Sequence, residues 1–178
     1  MRFGSAWKCE RFKLVSNTAM SRVIAVALTA IFFSACRNIE VEKAVQITDV
    51  QTGWYDAGIV EGQKNKLVPS VSLRLQNIAE DPVGSVQLNA IFRRVGEQEA
   101  WGEHFVMAIP RQSALAPGAK TNPIVLRSNL GYTGTQARLQ MLQNREFVDA
   151  KVEIYGKSGS RNWVKLAEQQ IGRELLTE

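Results

Sequence analysis

The chain is poor in the residues on which most enzyme chemistry rests. In 178 residues it has one histidine, His104, and two cysteines, Cys9 and Cys36. Catalytic triads and most zinc sites need a histidine with partners. His104 stands between Glu103 and Phe105 in a strand-like stretch, which predicts a surface or rim position and no catalytic role. Gly131-Tyr132-Thr133-Gly134 has no lysine and hydroxyl after it, so it is not a phosphate loop. Gly156-Lys157-Ser158-Gly159-Ser160 lacks the spacing of a nucleophile elbow and reads as a hairpin turn. There is no calcium loop of alternating acids. The expectation is a protein that is not an enzyme and uses neither cofactor nor metal.

Long basic runs are also missing; the longest is Arg93-Arg94. The net charge of +5 and pI of about 9.4 would otherwise suggest a polyanionic partner. Their source is the first 35 residues, which hold five basic residues and one acidic one. That leaves seventeen basic and sixteen acidic residues for the rest. Nucleic acid is therefore not an expected partner. No internal repeat or low-complexity segment occurs. The apolar content of 45% is enough for a packed core.

No apolar run reaches the roughly 20 residues of a membrane-spanning helix. The longest, Val23 to Phe33, is about half that and follows Arg22. Ser34, Ala35 and Cys36 come next. A basic start, a short apolar run and small residues describe a signal peptide over 1–35. Met20 is a candidate true start, because residues 1–19 are polar and mixed. Phe33-Ser34-Ala35-Cys36 resembles the lipobox of bacterial lipoproteins, with Phe33 where that family usually has Leu. The resemblance implies lipidation of Cys36 by palmitate-type chains, each buried CH₂ group contributing about 0.8 kcal/mol to membrane attachment. It also implies a cell-envelope location. Arg37 is not the Asp associated with inner-membrane retention, so the periplasmic face of the outer membrane is favoured. Plain secretion with Cys36 as a free thiol is the alternative. Residues 36–43 then form a lipidated tether and 44–178 the domain.

In that domain hydrophobicity repeats every two residues. Val71, Leu73 and Leu75 alternate with Ser72, Arg74 and Gln76; Val86, Leu88, Ala90 and Phe92 do the same. Strands are also expected around Val45–Tyr55, Trp101–Ile109, Ile124–Leu126, Phe147–Tyr155 and Trp163–Gly172. A helix is expected over Gln136–Arg145, with Leu139 and Leu142 on one face, and loops over Gly58–Asn65 and Ser128–Thr135. About seven short strands with turns between them predict an all-β antiparallel sandwich of the immunoglobulin-like kind, with one short helix in a late loop.

Leu73-Arg74-Leu75-Gln76-Asn77, Asp81-Pro82-Val83, Val86 to Phe92 and Leu115-Ala116-Pro117-Gly118 together resemble the FxLYD-type immunoglobulin-like domains of bacterial envelope proteins. The aromatic-Asp signature of that family is absent, since Arg93-Arg94 follow Phe92. The resemblance implies an accessory or interaction module. The expected function is a lipid-anchored envelope interaction module whose partners are the membrane and an envelope protein. The alternative is a periplasmic small-molecule or lipid carrier. Trp54 and Tyr55 are adjacent, so on a strand one faces outward. With Tyr132 beside the Gly131–Gly134 loop they form the candidate partner surface, unless all three are core or edge residues.

Overall fold

The computed structural model describes residues 40–176, which fold as a β-sandwich of nine strands in two sheets. A single helical turn, α1 (Val41–Ala44), leads into β1 (Val45–Val60), which turns back into β2 (Lys64–Asn77). The chain then crosses to the other sheet for β3 (Val86–Arg94) and β4 (Gly102–Ile109). It returns for β5 (Ile124–Arg127) and β6 (Tyr132–Gly134), passes α2 (Arg138–Gln143), and crosses again for β7 (Ala150–Ser158) and β8 (Val164–Gln170). A two-residue strand, β9 (Leu175–Leu176), lies parallel to β1 at Trp54 and Tyr55.

One sheet runs β5-β2-β1-β9, with β6 also on β2, and the other runs β4-β3-β7-β8. These orders are E-B-A and C′-C-F-G in immunoglobulin terms, the sandwich expected from the alternation. The expected count was two short: β6 falls in the stretch read as loop, and β9 in the stretch read as a polar end. The Gly58–Asn65 loop is also shorter than expected, because only Glu61–Gln63 separate β1 from β2. The helix is six residues, burying Met141 and Leu142 and leaving Leu139 exposed. Its fixed point is Arg138, ion-paired to Asp56 of β1. Packing begins ahead of the expected boundary, because Val41 is already buried in the core.

Two bulges decide which residues face the core. Between Thr48 and Gln51, β1 advances one residue more than β2. Val45 and Ile47 face inward before the bulge, and Thr52 and Trp54 after it. Asp49 takes φ +53° there, a region that Asp tolerates better than most residues, and its carboxylate receives Lys120 at 3.1 Å. On the other sheet Val86 pairs with Ile109, but Gln87 pairs with Met107. Ala108 is the extra residue, so Ile109 is buried while Met107 and Phe105 point out.

Pro69 sits in the middle of β2, where proline is normally excluded. Trp54, its partner on β1, sends its N–H to Glu174 O on the far side. The pair is therefore not hydrogen-bonded, and the position lacking an N–H faces the gap between β5 and β6. There Pro69 O accepts from Ser128 N at 2.9 Å.

Asn77 joins the parts of the crossover. It is fully buried; its Nδ2 donates to Asp81 O at 2.9 Å and Leu115 O at 2.8 Å, and its Oδ1 accepts from Ala79 N at 2.8 Å. Its carbonyl accepts from Gly118 N, where the Pro117-Gly118 turn places glycine at φ +73°. Three side-chain hydrogen bonds from this buried amide at about 1 kcal/mol each give an expected loss of about 3 kcal/mol for Asn77→Ala. Urea denaturation measures it; a loss under 1 kcal/mol would remove Asn77 from this role.

Candidate interaction surface

The expected aromatic surface divides between two places. Trp54 is fully buried, turned inward by the bulge at Asp49, and so belongs to the core and not to a partner surface. It packs with Phe147 at 4.6 Å, Tyr132 at 5.6 Å and Trp101 at 6.1 Å between ring centroids. Tyr132 is half-buried in this cluster, its hydroxyl donating to Val148 O at 3.0 Å. Burial raises the Tyr132 phenol above its ordinary range. Gly131 beside it is there for space: a Cβ would lie 2.1 Å from Leu67 O. Tyr55 alone of the three faces outward, on the other side of its sheet, with the Arg127 guanidinium stacked 3.5 Å above its ring.

His104 lies at the rim where β4 meets β5. Its Nδ1 is 2.9 Å from Arg127 O and 3.3 Å from Arg127 N. Among the described residues no group of three His, Cys, Asp or Glu could hold a metal ion, and no helix is long and apolar enough to cross a membrane. Cys36, Phe33, Ser34 and Ala35 lie outside the described residues.

The surface that stands out is the outer face of the β4-β3-β7-β8 sheet. Phe105 is 56% exposed, Met107 45% and Trp163 39%. Trp163 meets Phe105 edge to face, 6.1 Å between centroids, and Lys157 Nζ sits 4.8 Å from the Trp163 ring. A contiguous apolar group of this kind on a sheet face is a mark of an interaction site. It was hidden in the sequence because Phe105, Met107 and Ile109 share one alternation, which places all three in the core. The only sequence signal for the break is that His104, Val106 and Ala108 form an equally regular second set.

A charge cluster borders the patch. Glu153, nearly buried though on the outer face, receives Arg93 Nε at 3.2 Å, Lys165 Nζ at 3.2 Å and the Tyr155 hydroxyl at 3.3 Å. Burial alone would raise its pKa, but the hydrogen bonds from Lys165 and Arg93 outweigh it and hold the carboxyl below its ordinary 4.5. Glu168 pairs with Lys165 and Lys151 and is lowered by both. A lowered carboxylate contributes stability above its unfolded pKa and loses it as pH falls through the folded one. Glu153→Gln should therefore cost about 1.5–3 kcal/mol at pH 7. Thermal melts should show the gap from wild type closing as pH falls below 4.5; a gap constant with pH would mean that the carboxylate charge contributes nothing.

Lateral to the core, between β1 and β8, lies a depression of about 340 Å³ whose apolar lining includes Ile47, Val50, Ile78 and Leu166. No protein-family model matches the chain, and no curated protein matches it in sequence.

Proposed function

We propose that this protein is a non-catalytic, lipid-anchored interaction module of the bacterial cell envelope, held by acyl chains on Cys36 and working through the outer face of its β4-β3-β7-β8 sheet. The observation that carries this reading is the outward set of Phe105, Met107 and Trp163. A bulge turns Phe105 and Met107 away from the core, at the cost of filling the inward positions with His104, Val106 and Ala108. Bulges recur where a strand must re-aim side chains, and Phe, Met and Trp are side chains enriched at interfaces. The leader and the Phe33-Ser34-Ala35-Cys36 motif supply the membrane attachment.

The carrier reading rests on the depression between β1 and β8. Its volume would suit a small ligand, but four of its ten lining residues, Glu42, Gln46, Lys165 and Gln169, are polar. The sandwich interior is filled by Leu73, Leu75, Leu88 and Phe92, all without solvent exposure. The interaction module is therefore the better supported of the two.

Two measurements test the proposal. A photo-crosslinking amino acid at position 105 should give a protein adduct in membranes, and one at Val125, also exposed but on the other sheet, should not. Equal yields from the two positions would remove the face from the proposal. Labelled palmitate should enter the wild type and not Cys36→Ser; equal labelling would remove the anchor.

A further inference from the structure

The charges on the outer face of β4-β3-β7-β8 are almost all spent on one another. Arg93, Lys151 and Lys165 are paired with Glu153 and Glu168. Among the described residues two side chains on that face keep no ion pair, and they are of opposite sign: Lys157, engaged with the Trp163 ring, and exposed Glu103. Their placement is fixed by the ladder. Lys157 pairs with Gln87 of β3, and Glu103 with Ile91, four residues further along the same strand. The two therefore stand two strands apart, about 10 Å across and about 13 Å along the sheet. The midpoint of that diagonal is Asn89, which pairs with Phe105 on one side and Tyr155 on the other.

One unpaired cation and one unpaired anion, placed evenly about a single residue, satisfy each other when the same surface meets itself. We propose that the partner of this face is a second copy of the chain, related by a two-fold axis passing at Asn89. Lys157 of each copy then lies opposite Glu103 of the other. This makes the contact isologous, the commonest closed symmetry of protein oligomers. The Phe105 side chains come near the axis, and the strands of the two copies cross steeply, nearer the orthogonal than the aligned class of sheet packing. The inference rests on the face being the interaction site and names its occupant.

The area sets the strength. Four strands about 4.8 Å apart and about seven residues long give a face of about 440 Å². Two such faces supply about 900 Å² between them, below the roughly 1,200–2,000 Å² of stable complexes. The pair is therefore weak and reversible in dilute solution. Anchoring both copies in one bilayer raises their effective concentration without any new contact, so the membrane is where the pair accumulates.

The test uses the full acylated chain in vesicles, with the photo-crosslinker at position 105. The adduct should have twice the mass of the chain. Lys157→Glu and Glu103→Lys should each lower its yield at least about tenfold, since like charges then face each other twice, and Lys157→Glu with Glu103→Lys should restore it. Recovery in the double variant is what a purely structural role for either residue would not produce. Single variants without effect, or a double variant as poor as the singles, would overturn the proposal. An adduct joining the chain to a different protein would overturn it while leaving the face as an interaction site. No adduct at all would remove both.

Discussion

The sandwich depends on one buried amide. Asn77 ends β2 at the point where the chain leaves one sheet for the other, and its side chain ties the turn that follows it, at Ala79 and Asp81, to the distant segment at Leu115. A crossover of this kind must pass backbone groups over the end of the core, and each one left buried and unpaired costs about as much as a lost hydrogen bond. With two donors and one acceptor used, Asn77 pairs groups at Asp81, Leu115 and Ala79 at once. The Val83 and Leu115 ladder pair completes the closure. An apolar residue of similar size would fill the space and leave those groups orphaned.

The local half of that role is legible in the sequence, since an Asn ending an alternating run before a turn can pair its own turn backbone; the tie to Leu115 is not. The alternation itself was also legible wherever a strand pairs without interruption. β2 and β3 bury the residues expected of them, Val71, Leu73 and Leu75 on one and Val86, Leu88, Ala90 and Phe92 on the other. What was not legible is where the alternation changes phase. A bulge adds one residue to one strand, and its cause lies in the register against a neighbour, which a single sequence does not display. Trp54 and Tyr55 could be assigned opposite faces but not which face each took. Phe105 and Met107 were assigned to a strand, but the separation of both from Ile109 by Ala108 was not read. Trp54 and Phe105 both lie beside such a phase change.

The two ends of the sandwich are finished by different means. At one end the aromatic cluster of Trp54, Trp101, Tyr132 and Phe147 closes the core, capped by Arg94 over Trp101 and Arg173 over Phe147. At the other, α1 packs Val41 against Gly156, where any larger side chain would collide with Leu166. Glu40 there lies 3.8 Å from Arg161 in the β7–β8 turn. The first described residues are thus tied to the same end as the turn that carries Trp163.

The extra residue in β4 has a consequence for how this protein can change. Because side chains alternate, the strand holds two complete sets, Phe105 and Met107 or His104, Val106 and Ala108, and one of them must face the core. With Ile109 held inward, it is the extra residue that keeps Phe105 and Met107 outside; a one-residue slip of β4 that erased the bulge would exchange the two sets without altering a letter of the strand. The aromatic surface would be internalised and His104, Val106 and Ala108 would take its place. Deleting residue 108 would instead straighten the strand and leave the aromatic set outside, because Ile109 would take the inward place of Ala108. The character of this outer face is therefore held by register and not by the letters of the strand.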